Sequence, residues 1–185
     1  MTSHHPLPPN LPAPTDDGAC DHLPGMTLPR TALPSTDGST ITLADLPGRN
    51  VVFCYPRTGA PDEQVPDDWN AIPGARGCTP ESCAFRDLYR EFRALEVGVF
   101  GLSAQSTAQQ AEAKRRLHLP YPLLSDADLA LTTALRLPTF TWREGTWIRR
   151  LTLVIGGGAI EHVFYPVFPP DTHADAVLEW LRACA

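Results

Sequence analysis

The sequence predicts an α/β fold in which a mixed central sheet is flanked by helices. Three observations predict it. Apolar runs of strand character alternate with helix-patterned segments from residue 51 to residue 135, and a hairpin and a closing helix follow. The chain also carries 20 prolines among 185 residues, about 11% against ~5% in ordinary usage. An all-helical chain is thereby excluded, because a proline inside a helix costs ~3 kcal/mol through its missing N–H and its ring clash.

Residues 1–24 combine Pro, His, Asp and Gly without periodicity and read as a disordered or loosely packed arm preceding a domain at 25–185. His4 and His5, with no further ligand pattern around them, read as solvated side chains. Asp37-Gly38 is a turn into the alternating strand Thr40-Ile41-Thr42-Leu43, and Leu46 to Asn50 is a second turn. Val51-Val52-Phe53-Cys54-Tyr55 has the unbroken apolar character of a strand buried on both faces, and Pro56 stops it. Residues 56–77 form a loop of 22 residues rich in Pro, Gly and Asp, long enough to be functional or locally folded.

After this loop, Cys78-Thr79-Pro80-Glu81 reads as a helix start, with Thr79 as N-cap and Pro80 at the first helical position. Phe85, Leu88, Phe92 and Leu95 continue it as one apolar stripe towards Gly98. Val97 to Leu102 is the next strand. Ser106 caps a helix to about Leu117, Tyr121 to Leu124 is a short strand, and Asp126 opens a helix to about Leu135. Leu151 to Ile155, the turn Gly156-Gly157-Gly158 and Ile160 to Tyr165 make a hairpin. Asp171 caps the last helix, which turns Val177, Leu178 and Leu181 inward. There is no internal repeat.

Hydrophobic residues at 43% and charged residues at 19% supply a core and argue against wholesale disorder. The net charge is -6, with Lys114 the single lysine. No basic face is visible, so binding to a nucleic-acid backbone is not expected. No apolar run approaches the ~20 residues of a membrane span. The start of the chain lacks a basic segment followed by an apolar core, so a cytoplasmic location is expected.

Cys20, Cys54, Cys78, Cys83 and Cys184 are an odd set in a chain large enough to be held by its core, which disfavours a secreted disulfide scaffold. Cys78 is the informative one. At a helix N-terminus its sulfur meets unpaired backbone N–H groups and the positive end of the helix dipole, which favour the nucleophilic thiolate. Cys83 is five residues on. In an intact helix that places the two Cα atoms roughly 8–9 Å apart, whereas a disulfide needs about 4.4–6.8 Å. A bond between them therefore requires the first helical turns to unwind. Two readings of Cys83 stay open on spacing alone: half of a redox pair, or a small buried helix residue. A zinc site lacks the required ligand grouping, since His118, His162 and His173 are scattered. Cys54, mid-strand, reads as inert core.

The stretch Gly77-Cys78-Thr79-Pro80-Glu81-Ser82-Cys83-Ala84-Phe85-Arg86-Asp87 resembles the active-site helix of Q-type peroxiredoxins, also called bacterioferritin comigratory proteins. The resemblance continues through Phe100 to Ser103, Pro122 to Asp126, Arg150 to Ile155 and Val177 to Leu181, and covers about residues 25–183. It implies a thioredoxin-like fold and a thiol peroxidase needing no metal, haem or flavin. By position it implies Cys78 as peroxidatic cysteine, Cys83 as resolving cysteine and Arg150 as the arginine supporting the thiolate, with Arg149 facing solvent. It also implies a peroxide substrate, a thioredoxin or similar dithiol reductant, and a monomer or weak dimer.

Two departures stand out. The family's Pro-x-x-x-Thr-x-x-Cys becomes Ala75 three residues before Cys78, and an insertion of about fifteen residues separates Pro56 from the cysteine. Thr58 swinging back, Thr79, or a backbone N–H such as that of Gly77 would have to replace the threonine at the peroxide. Gly156 stands where the family often has Asp. Two rival functions remain: a thiol–disulfide oxidoreductase, disfavoured by five-residue spacing, and a redox-sensing module whose 56–77 loop docks a partner through Trp69.

Overall fold

Val51 to Tyr55 is apolar without alternation because both of its faces are covered. Val52 and Cys54 point into one core layer with Leu102, Leu124 and Leu153, while Val51, Phe53 and Tyr55 point into another with Phe85, Phe92 and Val177. The computed structural model describes residues 7–184, so His4 and His5 lie outside the described residues. Its strands are β1 (Ala32–Pro34), β2 (Thr40–Thr42), β3 (Arg49–Cys54), β4 (Gly98–Ser103), β5 (Leu123–Ser125), β6 (Thr139–Trp142), β7 (Gly145–Ile148), β8 (Leu151–Gly156) and β9 (Ala159–Phe164). The helices are α1 (Asp67–Asn70), α2 (Cys78–Asp87), α3 (Tyr89–Ala94), α4 (Thr107–Leu117), α5 (Ala130–Leu135) and α6 (His173–Ala183).

The central sheet has the order β5-β4-β3-β8-β9. Pairs β3–β4 and β4–β5 are parallel, and β3–β8 and β8–β9 antiparallel. This is the mixed α/β sheet that the alternation of elements predicts. Helices α2 and α6 pack on one face, where Phe53 stacks on Phe85 at 4.4 Å between ring centroids.

Several helix ends differ from expectation. Ser106 does cap α4, through a reciprocal box with Gln109. Helix α2 starts at Cys78, and its cap is Gly77 with φ 112° rather than Thr79. Pro80 is still tolerated there, since N–H groups of the first turn have no intrahelical partner. Leu88, in the bridge region of backbone space, divides the expected single helix into α2 and α3 while the apolar stripe runs on across the break. Thr172 rather than Asp171 precedes α6, because residues 170–172 form a 3-10 turn. Asp126 is not adjacent to α5, yet its buried carboxylate accepts from the N–H groups of Leu131 and Thr132 and from the Thr132 hydroxyl, at 3.0, 2.8 and 2.6 Å. It caps the helix from a distance.

The segment read as a loose arm is packed from Cys20 onward. Cys20 and Leu23 are buried, and Gly25 and Leu28 donate backbone hydrogen bonds to Ile160 and Gly158 at the β9 end of the sheet. Burying Leu23 and tying the backbone to a sheet edge outweigh the segment's lack of periodicity.

The sequence reading overlooked the β6–β7 hairpin. Thr139-Phe140-Thr141-Trp142 alternates as a strand should, but the turn uses Arg143 at φ 53° instead of a glycine or asparagine that would have marked it. This hairpin receives the long loop. Trp69 of α1 packs against Phe140, Trp142 and Trp147, with centroids 5.7, 4.8 and 6.0 Å away. The Arg57 guanidinium lies 5.6, 5.7 and 5.8 Å from the rings of Trp69, Trp142 and Trp147, and is held there by Glu63 at 2.5 Å. The 56–77 loop is thus locally folded around an arginine.

Candidate active site

Sheet register decides what meets Cys78. Cys54 at the end of β3 pairs with Leu151 at the start of antiparallel β8. The chain therefore leaves β3 for the long loop at the same sheet end where Arg150 enters β8. The loop returns through residues 73–77 to begin α2 on the face of Val51, Phe53 and Tyr55, with Cys78 at its first position and 4% exposed.

Arg150, 3% exposed, spreads its guanidinium over this junction. Its Nη2 donates to Cys78 Sγ at 3.2 Å and to the carbonyls of Ala75 and Arg76 at 3.3 and 3.4 Å, and its Nε donates to the Gly74 carbonyl at 3.3 Å. Nη1 pairs with the Glu81 carboxylate. A single planar cation thus orients three loop carbonyls, the sulfur and a carboxylate. In its thiol form Cys78 donates to the Ala75 carbonyl at 3.6 Å. The neighbouring Arg149 is partly exposed and pairs with Asp17 at 3.5 Å.

The sequence reading treated Glu81 only as a helix-start residue. It is 0% exposed, and one of its oxygens, Oε1, has no hydrogen-bond partner. Burial pushes its carboxyl up to about 7, with Arg150 acting in the opposite direction. Its place three residues after Cys78, nearly one helical turn on, was the available signal: a carboxylate in that first turn points to the same sheet end as the sulfur. A second overlooked residue is His173 at the start of α6. Its Nε2 and the Thr152 hydroxyl are 2.8 Å apart, and burial, with a further contribution from Arg150, holds its pKa down to about 3. It is a neutral imidazole at neutral pH.

Cys83 lies within the same unbroken helix α2, is 6% exposed, and its thiol is raised by burial, with Arg86 partly opposing. All five cysteines are free thiols. Burial also raises Cys20, to about 12, and Cys54 well above the usual thiol range. Neither is poised as a nucleophile.

Among the described residues no hydrogen bond joins Thr58 to the Cys78 sulfur. Its N–H and hydroxyl both donate to Gln105 Oε1, at 2.8 and 3.2 Å, and Gln105 Nε2 donates back to its carbonyl at 3.1 Å. The clamp holds the strand exit, and the hydroxyl partner anticipated from the sequence is engaged elsewhere. Gly77 does sit at the site. Its φ of 112° lies where side chains are strained, and an added Cβ would meet Pro170 and Leu7.

This arrangement is a buried thiol at a helix N-terminus, facing a fixed cation, with a second thiol on the same helix. Comparison with known proteins places the whole chain rather than single residues. The Redoxin family model matches residues 23–178. The chain is 29% identical over 161 residues to "Peroxiredoxin Q, chloroplastic" of Oryza sativa subsp. japonica, covering 86% of this chain and 66% of that one. It thus spans just under two thirds of the rice relative's length. It is 29% identical to "Peroxiredoxin Bcp" of Escherichia coli K12 over 163 residues, covering 85% of this chain and 94% of that one. Among solved structures, the peroxidoxin BcpB of Mycobacterium tuberculosis superposes with a TM-score of 0.71 at 29% identity, covering 89% of this chain and 99% of that one.

Proposed function

The chain belongs to the redoxin family, as a Q-type, Bcp-like peroxiredoxin with a thioredoxin-like fold, and on that premise we propose that it is a thiol-dependent peroxidase acting through Cys78, Cys83 and Arg150. The observation that carries the proposal is the 3.2 Å contact between Arg150 Nη2 and Cys78 Sγ. A guanidinium at that distance is placed to stabilise negative charge developing on peroxide oxygens as the sulfur attacks.

The Cys78 thiolate attacks one oxygen of hydrogen peroxide or an organic hydroperoxide. The O–O bond breaks, the leaving oxygen takes a proton and departs as water or alcohol, and Cys78 becomes a sulfenic acid. The N–H of Gly77, at the cap before the sulfur, supports the peroxide in place of the family threonine. Cys83 then attacks the sulfenic sulfur, releasing water and forming the Cys78–Cys83 disulfide. Helix α2 is intact in the dithiol state, so its first turns unwind as that bond forms. A thioredoxin-type dithiol restores the pair by exchange.

Five free thiols suit a reducing compartment, and we assign the protein to the cytoplasm. Among the described residues no helix is long and apolar enough to cross a membrane. An intramolecular resolving thiol lets a monomer or weak dimer complete the cycle, and the net charge of -6 speaks against nucleic-acid binding.

The test is peroxide consumption with excess thioredoxin-type reductant. Wild type is expected to turn over many equivalents, Cys78→Ser none, and Cys83→Ser one equivalent before overoxidation of Cys78. Retained turnover in Cys78→Ser overturns the assignment. A wild type that stops near one equivalent supports the redox-sensing module instead.

A further inference from the structure

The residues ahead of the family-matched region lie across the active-site loop. Pro14 packs against Gly74, whose carbonyl is held by Arg150, with its Cγ 3.4 Å from where a Cβ would stand on that glycine. Leu7 Cδ2 is 3.3 Å from the corresponding position on Gly77, the residue before the nucleophile. Glycine at these two positions, with φ of 77° and 112°, leaves room for the crossing segment. Pro14 also forms one wall of a cavity of about 20 Å³, whose other walls include Arg149, Arg150, Phe140 and Tyr165. A volume of that order holds about one water-sized molecule. A larger cavity, of about 360 Å³, lies along residues 163–169 and His173 and includes neither Cys78 nor Arg150.

The crossing segment is lightly held. Among the described residues, none of the backbone hydrogen bonds outside helices and strands involves residues 7–17. Its fastening is at Asp17, which accepts from the Tyr165 hydroxyl at 2.9 Å and pairs with Arg149 at 3.5 Å. An exposed pair of this kind contributes little stability, and a segment without backbone ties opens at low cost.

We infer that residues 7–17 are a strap that narrows the approach to Cys78 and Arg150, and so selects hydrogen peroxide and small hydroperoxides over bulky organic ones. The inference rests on the peroxidase reading for its substrates, but the strap's action on access is physical and is readable without turnover. A wall contributed by Pro14 and Leu7 discriminates by size through the volume it removes, and Asp17 sets how often the wall is in place.

The test uses the full chain with Asp17→Ala, with Tyr165→Phe, and with the double change Leu7→Ser and Pro14→Ser. Two ratios are measured for each. One is kcat/KM for cumene hydroperoxide over that for hydrogen peroxide. The other is the rate of Cys78 alkylation by a bulky fluorescein iodoacetamide over that by iodoacetamide. Both ratios are expected to rise about tenfold in the double variant, a size commonly seen for pocket-wall changes, and by less in the Asp17 and Tyr165 variants. Hydrogen peroxide turnover is expected to stay near wild type. If neither ratio moves in variants with wild-type circular dichroism, the strap is overturned. If the alkylation ratio rises while no chain, wild type included, turns over peroxide, the strap stands and the peroxidase reading falls.

Discussion

Arg150 Nη2 and Cys78 Sγ are 3.2 Å apart across 72 residues of sequence. The contact exists because antiparallel pairing of β3 with β8 brings the start of β8 to the sheet end where the long loop delivers α2. Arg150→Met keeps much of the side-chain volume and removes the cation. Its kcat/KM for hydrogen peroxide is expected to fall by about 10²–10³, the usual loss on deleting one preorganised electrostatic group. Stopped-flow peroxide reduction checks this, and a change under threefold would remove Arg150 from the mechanism.

Glu81 shares the same guanidinium and is fully buried. Removing it as Glu81→Ala leaves the Arg150 charge buried without its carboxylate, which typically costs about 3–5 kcal/mol. A large drop in Tm is expected. Glu81→Gln keeps the shape. Because burial holds the Glu81 carboxyl near 7, its ionisation makes it compete with the sulfur for the Arg150 guanidinium as pH rises through that value. The pH profile of Cys78 alkylation is therefore expected to carry a shoulder near pH 7 in the wild type and to lose it in Glu81→Gln.

Oxidation is expected to melt the beginning of α2. The helix is intact from Cys78 to Asp87 in the dithiol form, with the cysteines farther apart than a disulfide allows. Amide hydrogen exchange over residues 78–84 is expected to accelerate after stoichiometric peroxide and to slow again on reduction. Equal protection in the two states would show that Cys78 and Cys83 do not bond to each other.

His173 links stability to pH. Its folded pKa is held down to about 3, against about 6.5 in an unfolded chain. Between those values the unfolded chain binds more protons. The contribution is thus fully present above pH 6.5 and is lost as pH falls towards 3, by at most about 5 kcal/mol. Glu81 has the opposite sign: with its folded value raised to about 7, the folded chain binds more protons between about 4.5 and 7, and stability falls as pH rises through that window. Urea unfolding from pH 4 to 7.5 of wild type and His173→Gln separates the two. The difference between the chains is expected to narrow steadily as the pH is lowered.

Arg57 fastens the long loop to the β6–β7 hairpin. Arg57→Met removes the charge from three indole rings and from Glu63 while keeping a flexible apolar side chain. A loss of about 1–3 kcal/mol is expected, a few times the usual cation–π contribution because three rings are involved. The emission of the buried Trp69 is expected to shift to the red. An unchanged Tm with an unchanged spectrum would show that the loop is held by aromatic packing alone.

What the sequence determined by itself is local in origin. Cys78 at a helix start, Cys83 five residues on and the strain that a bond between them would bring all follow from helix geometry over a turn and a half. Strand β3 and the alternation of helices and strands around it, though not the β6–β7 hairpin, were legible for the same reason, since periodicity and capping act within a few residues. The family resemblance already pointed to Arg150 rather than Arg149 as the inward arginine, whereas only the tertiary structure showed that Glu81 shares its charge, that the Thr58 hydroxyl is taken by Gln105, and that Leu7 and Pro14 cross the loop. These contacts join residues 47 to 72 positions apart. Each depends on sheet register and on how the long loop folds around Arg57. No local pattern encodes those distances, because they arise only when β3 and β8 pair and bury both of their faces.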